Sequence, residues 1–585
     1  MSVCRADRRV LRLMAAGLFS VAALPALAQQ QPLRLVPLDP PAPAQRPLEA
    51  PARAPAWASG GGIQVQELRA PSMESIGVLD PRQGGLGPRL WEGTPATVVR
   101  RLLPLLPAAN GSHVMRDLAR RLLLTAAAAP EGADAAAAGG PTLVEMRAER
   151  LMALGDTDGM AALAAAAPGA ATRPLLTRLA VDADLAAGRA DKACAAAATA
   201  LAAGHDGALA MVQVYCTFAA GNALQGNLAL DLLRERKEAD PAFVAAAEVM
   251  AGLPPIPTDK LSLPQPAPVH VAAFAAAKQP LPADALAGAG ATTLKAMALS
   301  GLPAEQRLAA AERAEALGAL DAEVVRKLYG EQQFTPAELS AAIPKAEAGG
   351  ATARALLFRA ARDIPDEGVR AQIVAKALEL AAAKGERASA MRVFQPLIEA
   401  IRPVPEQHPF AIAAARALYA FGRPEAAAKW LDVARMGPAP TAVDALWPYA
   451  AVAAAGGGQP IAGSGYAGWR AAQAGVAPEL SARRAAIVLG VLAGLGARVP
   501  DAAWLDTLTL PPGGPQPGLF ALMQGGALDA RTGITVLAAL AAIGDVPLDK
   551  AEPLAVSEAV SALTVVGLAD DARRLAVEAL VANGI

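Results

Sequence analysis

Apolar residues recur at intervals of three and four along most of the chain, from Thr94 to the last residue. The stretch "VMRDLARRLLLTAAAA", which begins at Val114, places methionine and leucines on one helical face and arginines on the other. This period is that of an amphipathic α-helix whose apolar stripe packs against a neighbour. We therefore predict an all-α fold over this part of the chain.

Glycines divide the helical stretches at a regular interval. Gly155, Gly188 and Gly221 lie 33 residues apart, and each ends one apolar helix and begins another. A period near 34 residues is typical of helix–turn–helix solenoids, and glycine tolerates the left-handed turn between two helices. The sequence therefore predicts an α-solenoid of stacked antiparallel helical hairpins. A glycine followed by alanines five and twelve residues later places small residues on one helix face, at Gly188/Ala193/Ala200, Gly422/Ala427/Ala434 and Gly567/Ala572/Ala579.

Two stretches resemble the tetratricopeptide repeat and its Sel1-type variant. In "AARALYAFGRPEAAAKWLDVARMGPAP", residues 414–440, small residues and Leu418 form a first helix, Gly422 the turn and Ala427 a close contact in the second helix. "LAAAKGERASAMRVFQPLIEAIRP" is similar, with Phe394 at the position of a large residue. The first helices lack the tryptophan of that family. The resemblance implies an α-solenoid that binds other proteins rather than catalysing a reaction.

Changes in proline and glycine content divide the chain into segments. In "GLPPIPTDKLSLPQPAPVHV" the prolines cannot continue a helix. "IQVQEL" alternates apolar and polar residues like a strand. The segment that contains it, residues 62–95, is either a cap along the first helices or a docking strip for a partner. The expected segments are a signal peptide at 1–28, an extended or disordered proline-rich tether at 29–61, the cap or docking segment at 62–95, a helical repeat domain at 96–251, a proline-rich linker at 252–280 and a second repeat domain at 281–585.

The first residues have the pattern of a secretory signal peptide. Four arginines precede the apolar run "LMAAGLFSVAALPALA", which ends in small residues suited to cleavage between Ala28 and Gln29. A membrane anchor is the alternative, but the run is shorter than the roughly 20 residues of a span. We expect export to a bacterial periplasm, and the arginines leave both the general secretory and the twin-arginine route open.

The composition narrows the classes of partner. Hydrophobic residues make up 54% of the chain and aromatic residues only 4%, and alanine accounts for most of the difference. Alanine favours helices and lets them approach closely. The formal net charge is −1, so the sequence has no excess of basic residues that would indicate nucleic-acid binding. The run "AAIVLGVLAGLGA", residues 485–497, is too short to span a membrane, and we predict a buried helix there.

Two cysteines flank a "GHDG" turn symmetrically. Cys194 and Cys216 lie eleven residues on either side of His205, in stretches that we predict to be antiparallel helices. In an oxidising compartment we predict a disulfide between them. Two buried free thiols, packed as small apolar side chains, are the alternative. The disulfide would join the second helix of one repeat to the first helix of the next.

Motifs that carry catalysis or metal binding are weak in this sequence. The histidines lie far apart, at His113, His205, His270 and His408, and no HExxH or CxxC pattern occurs. "GSGYAG", residues 463–468, matches a dinucleotide-binding glycine pattern, but no strand precedes it and we predict a loop. We therefore expect no catalytic residue, no cofactor and no metal site.

The best enzymatic alternative depends on Glu74. Glu74-Ser75 is similar to the catalytic Glu-Ser motif of lytic transglycosylases, and "GLFALMQGG", residues 518–526, resembles a downstream motif of theirs. This resemblance implies that Glu74 acts as a general acid on peptidoglycan. The two motifs are more than 400 residues apart, and Glu74 follows a proline-rich segment.

The sequence favours a periplasmic scaffold or adaptor over this enzyme. Stacked repeats present an extended concave surface, on which we expect protein partners of the cell envelope to bind. A solenoid that binds a small ligand in an aromatic pocket is the third possibility. The residues that would line such a pocket are Trp430, Trp447, Trp469 and Trp504.

Overall fold

The computed structural model of the chain describes residues 72–133, 140–255, 257–350, 352–511 and 513–585. Within them, the secondary structure consists of helices and three isolated β-bridges, with no β-strand. Consecutive helices pack on each other along the chain, and their short connections make such neighbours antiparallel. The predicted all-α fold of stacked helices is confirmed. The predicted signal peptide, its cleavage site at Ala28 and Gln29, and the tether lie outside the described residues.

Among the described residues, nine helices precede the predicted linker. They are α1 (Ala96–Leu102), α2 (His113–Leu124), α3 (Leu143–Ala153), α4 (Thr157–Ala166), α5 (Pro174–Ala186), α6 (Ala190–Ala203), α7 (Gly207–Ala219), α8 (Ala223–Arg236) and α9 (Pro241–Met250). Gly188 and Gly221, at the turns before α6 and α8, have φ angles of 74° and 80°. These left-handed turns are the ones that the glycine spacing predicts, because a side chain would strain them.

Ten helices form the middle of the described chain. They are α10 (Pro268–Ala276), α11 (Ala285–Gly288), α12 (Ala291–Leu299), α13 (Ala304–Ala316), α14 (Ala322–Glu331), α15 (Pro336–Ser340), α16 (Ala342–Glu347), α17 (Ala353–Asp363), α18 (Glu367–Ala383) and α19 (Arg387–Ala400). The predicted linker at 252–280 therefore contains a helix, α10, which packs against α5 and α7. Pro268 stands at its first turn, where the fixed φ of proline suits a helix.

Ten more helices complete the part of the chain that the structure describes. They are α20 (Ala411–Ala420), α21 (Pro424–Arg435), α22 (Trp447–Ala454), α23 (Gly463–Ala472), α24 (Pro478–Gly494), α25 (Asp501–Trp504), α26 (Pro517–Leu528), α27 (Thr532–Ile543), α28 (Pro553–Val565) and α29 (Ala569–Ala582). Short 3-10 helices occur at Pro81–Gln83, Leu103–Leu105, Ala170–Thr172, Thr258–Lys260, Pro405–Phe410, Pro440–Leu446 and Leu505–Thr507.

The prediction of a loop at "GSGYAG" is wrong, because residues 463–468 form the first part of α23. The glycines serve close packing between elements. A Cβ atom at Gly465 would clash with the indole ring of Trp447, and one at Gly468 would lie 3.2 Å from the carboxyl carbon of Asp444. The sequence signal is therefore glycine at a helix contact, which a single-sequence pattern does not separate from glycine at a turn.

The run at 485–497 lies mainly in α24, as predicted, and its large apolar side chains are buried. Among the residues that the structure describes, no helix combines the length and the apolar character needed to cross a bilayer. The alanines of the glycine-alanine pattern also lie where helices meet: Ala193, Ala427, Ala572 and Ala579 are fully buried. Because these side chains are small, neighbouring helix backbones can approach closely.

The described part of the predicted cap segment, from residue 72 to 95, lies along the helices. The main-chain N–H groups of Val78 and Leu79 donate to the carbonyl oxygen of Leu124, at 2.8 and 2.9 Å. Leu90 and Trp91 are buried, and the carbonyl of Leu90 accepts a hydrogen bond from the first turn of α27. These contacts join the start of the described chain to its end, and the choice between a cap and a docking segment stays a prediction.

The described residues from 72 to 585 belong to one compact unit, and helices from the two ends of this part of the sequence meet. Helix α2 packs against α27 and α29. An ion pair of 2.8 Å joins Arg121 of α2 to Asp571 of α29, and the N–H of Ala109 donates to Asp545 at 2.6 Å. The last helices of the described chain therefore contact its first helices. The division into two repeat domains at 252–280 stays a prediction.

Candidate interaction surfaces

The two cysteines form the predicted disulfide. Cys194 on α6 and Cys216 on α7 are linked, with their Cα atoms 5.7 Å apart, a separation that a disulfide spans without moving the backbone. Cys216 is buried and Cys194 is half-buried. The bond ties two consecutive hairpins together, and it is compatible with an oxidising compartment.

The turn between the cysteines is also fixed by polar contacts. Asp206 accepts hydrogen bonds from the main-chain N–H groups of Ala208 and Leu209, which caps α7. Nε2 of His205 lies 2.8 Å from the carboxylate of Glu238, at the far end of α8. His205 therefore links two turns on the same side of the helical stack, and its contacts are structural.

The four histidines lie apart and have different neighbours. Nε2 of His113 lies 2.9 Å from the carbonyl oxygen of Glu315, and burial lowers the His113 pKa to about 3, with a further contribution from Arg392. His270 pairs with Asp240 at 2.6 Å, and Nδ1 of His408 lies 3.3 Å from a carbonyl oxygen. Among the described residues, no three His, Cys, Asp or Glu side chains converge as metal ligands.

Glu74 lies in a buried contact between the cap segment and α3. Its Oε2 atom lies 2.9 Å from Nη2 of Arg100, and its Oε1 accepts a hydrogen bond of 3.1 Å from the N–H of Leu143. The residue is 5% exposed. Both carboxylate oxygens are therefore occupied by partners within the chain, whereas a general acid has to reach a substrate oxygen.

The four tryptophans do not share a cavity in the part of the chain that the structure describes. Trp430 and Trp469 are buried in the core. Trp447 packs edge-on against Tyr466, with ring centroids 5.9 Å apart. Trp504 is half-buried beside the groove between α24 and α28. The tryptophans therefore act as packing anchors in several places rather than as one aromatic pocket.

A cavity of about 390 Å³ lies where N-terminal, middle and C-terminal helices meet. On one wall Glu578 accepts hydrogen bonds from the hydroxyl of Ser112 and the N–H of Val114, and burial raises the pKa of its carboxyl. On another wall Arg387 has a buried Nη1 atom without a hydrogen-bond partner among the described residues. Phe421 is the one aromatic residue in the described lining. Because Glu578 caps the start of α2, the cavity lies where the first and last helices of the described chain contact each other.

The exposed face of α8 carries an apolar stripe. Leu224, Leu228 and Leu232 are 89%, 66% and 47% exposed. Their four-residue spacing aligns them over two turns of one helix face. Leu230 and Leu233, on the opposite face, are buried in the core. Single exposed leucines are ordinary on protein surfaces, whereas an aligned set forms a contiguous apolar surface that is a candidate interaction site.

Arg234, a charged residue beside the stripe, is paired with two acids. Arg234 lies 3.1 Å from Asp231 and also pairs with Glu248 of α9. The charge of Arg234 is therefore neutralised locally, and the side chains of the stripe itself present an apolar surface. The disulfide holds α6 to α7, and α7 packs against α8, so the stripe is supported by a cross-linked pair of hairpins.

Sequence reasoning missed this stripe, although the signal is present. In "ALQGNLALDLLRER", residues 223–236, leucines occupy two opposite faces of one helix. A surface helix needs an apolar stripe on one face only. The leucines on the second face are therefore more than a surface helix needs, and this can be seen in the sequence alone.

The chain was compared with models of protein families, with curated proteins and with solved structures. No match was found in any of the three comparisons.

Proposed function

We propose that this chain is an exported helical-repeat scaffold or adaptor that binds a protein partner of the cell envelope through the leucine stripe of α8. The stripe is the observation that carries the proposal, because three aligned leucines remain exposed while their helix already buries a complete apolar face. Each leucine buried by a partner would contribute about 1.5–3 kcal/mol before the entropy of association is subtracted.

The assignment to the tetratricopeptide type is part of this proposal. Left-handed glycine turns at Gly188 and Gly422, with φ angles of 74° and 69°, support it, as do the buried alanines Ala193 and Ala427 that follow them. Repeat proteins of this kind bind partners on surfaces shared by neighbouring hairpins. The periplasm is the proposed compartment, supported by the disulfide and by the signal-like N-terminus of the sequence.

A binding role is favoured over catalysis by the contacts of Glu74. Its carboxylate is buried and is held by Arg100 and by the start of α3, so it does not face a surface that a sugar substrate could reach. The lytic transglycosylase alternative depends on this residue.

Photo-crosslinking tests the proposed surface. We would place a photoreactive phenylalanine analogue at position 228 of the full chain and irradiate it with an envelope extract of the source cells. We expect one reproducible adduct, identified by mass spectrometry, that disappears when the neighbouring Leu224 and Leu232 are both changed to glutamine. Purified partner should then bind the parent chain and lose about tenfold or more in affinity for the Leu224→Gln/Leu228→Gln/Leu232→Gln variant.

The matched control changes two exposed leucines elsewhere. Leu299 and Leu528 are 44% and 83% exposed, and Leu299→Gln/Leu528→Gln should leave the adduct unchanged. An adduct of the chain with itself, or an adduct that survives the α8 changes, would contradict the proposal.

A further inference from the structure

A second surface, independent of α8, lies between α24 and α28. It is an open groove of about 550 Å³, within the size range of ligand-binding clefts. Small residues of α24 leave room for it: Gly490 and Gly494 lie one turn apart on the lining, and Ala493 is exposed beside them. The glycines let α28 approach closely, since a Cβ atom at Gly494 would lie 2.8 Å from the carbonyl oxygen of Ser557.

The charge of the groove has one sign. Glu552 and Glu558 line it, and none of the described lining residues is basic. Neither glutamate forms an ion pair with any residue that the structure describes. Oε2 of Glu558 accepts a hydrogen bond from the side-chain amide of Gln524, which is neutral, and burial raises the pKa of Glu558. Glu552 is exposed and Glu558 is half-buried, so a cationic group that enters the groove would meet complementary charge.

The rest of the lining suits a chain-like, partly apolar occupant. Leu508 and Leu554 are 73% and 45% exposed on the rim, and Trp504 lies half-buried beside them. Thr507 and Ser561 add hydroxyl groups to the lining; that of Thr507 donates to the carbonyl oxygen of Trp504 and can still accept from a main-chain N–H group. The groove can therefore offer a bound peptide apolar contacts, hydrogen bonds to its main chain and charged contacts to its side chains.

We propose that this groove binds an extended apolar peptide segment of another protein, with lysine or arginine side chains placed against Glu552 and Glu558. Each carboxylate favours a basic side chain, and the leucine rim with Trp504 covers the apolar residues of the segment. This site lies on different helices from the leucine stripe of α8, so either surface can fail without the other.

Fluorescence anisotropy with synthetic peptides tests the groove. The probes are fluorescein-labelled peptides of about a dozen residues, rich in leucine and alanine, with two lysines, two glutamines or two glutamates at the same positions. We expect the full chain to bind the lysine peptide about tenfold more tightly than the glutamine peptide and to bind the glutamate peptide least. Added salt should narrow the difference.

Three variants locate the binding. Glu552→Gln/Glu558→Gln should abolish the preference for lysine while retaining part of the apolar affinity. Ala493→Trp should fill the groove and remove binding of every peptide, and because Ala493 is exposed the change leaves the core intact. The control is Glu479→Gln, an exposed acid at the start of the same helix, which should change nothing.

Several results would overturn the proposal. One is equal binding of the lysine and glutamate peptides, and another is unchanged binding by the Ala493→Trp variant with a native circular dichroism spectrum. A free alkylamine that occupies the groove as tightly as the lysine peptide would make the occupant a small amine. Dimerisation of the chain that Ala493→Trp abolishes would make it a second copy. The crosslink at position 228 is read separately, so failure here leaves the α8 proposal standing.

Discussion

Buried polar side chains act as fixed points between helices whose apolar surfaces are mostly alanine. Glu315 is fully buried and accepts hydrogen bonds from the hydroxyl of Ser389, at 2.5 Å, and from Nε of Arg392, at 2.6 Å. Arg147, 2% exposed, donates to three main-chain carbonyl groups that include that of Leu123. Alanine faces fit one another in many registers, whereas a buried charge is stable only opposite its own partners. These residues therefore select the register of packing.

The disulfide gives a prediction at the scale of single residues. Cys194→Ser/Cys216→Ser should lower the free energy of unfolding by about 3 kcal/mol, because the bond closes a loop with a sequence separation of 22 and its loss frees the unfolded chain. Chemical denaturation followed by circular dichroism measures the change. A reducing agent should destabilise the parent chain by a similar amount and leave the double variant unaffected.

Equal stability of the parent and the double variant would show that the bond contributes nothing. The pairing itself was predictable. The spacing of Cys194 and Cys216 about a turn is visible in a short stretch of sequence, and the expected compartment favours a disulfide. The partners of Glu315 were not predictable. Ser389 and Arg392 lie more than 70 residues away in the sequence, and charge alone does not say which arginine a buried glutamate meets.

At the scale of helices, glycine has opposite effects in two places. Gly494→Ala should destabilise the protein by about 1–3 kcal/mol, since the new methyl group would lie 2.8 Å from the carbonyl oxygen of Ser557 and 3.0 Å from the N–H nitrogen of Ser561. Both atoms belong to the backbone of α28 and cannot rotate away. This overpacking exceeds the gain of up to about 1 kcal/mol from better helix propensity. Thermal and chemical unfolding measure the balance.

The matched control is Gly525→Ala in α26. The nearest atom that a Cβ there would meet is the end of the Arg531 side chain, at 4.0 Å, so only the propensity gain remains and the variant should be more stable than the parent. If both glycine variants are stabilised, α24 and α28 are not in tight contact at Gly494.

The sequence predicted helices well and their contacts less well. Periodicity identified α2 and α24, because the apolar stripe is a local pattern. It missed α23, where glycines serve close packing, and it overlooked the second leucine face of α8. Each miss concerns what a helix meets in space, and the sequence of one helix does not contain its neighbour.

At the scale of the whole molecule, the meeting of the two ends changes what an α-solenoid does. In an open array the terminal repeats have a neighbour on one side only and open first. Here α2 packs against α27 and α29, and Glu578 caps α2 across more than 450 residues of sequence. The repeat pattern did not predict this closure, because it describes contacts between successive hairpins only.

Closure predicts that α2 and α29 exchange their amide hydrogens slowly, in contrast to the ends of an open array. Asp571→Ala should remove this protection, because Asp571 is 6% exposed and holds Arg121 of α2 at 2.8 Å, and a lost charged hydrogen bond of this kind costs about 1.5–3 kcal/mol. Hydrogen exchange with mass spectrometry should show faster exchange in α2 and α29 and an unchanged rate in α8. The control is Asp570→Ala, the neighbouring fully exposed acid in the same helical turn, which should leave all three helices unchanged. Rapid exchange of α2 and α29 in the parent chain, or equal effects of the two substitutions, would mean that the ends do not hold each other closed in solution.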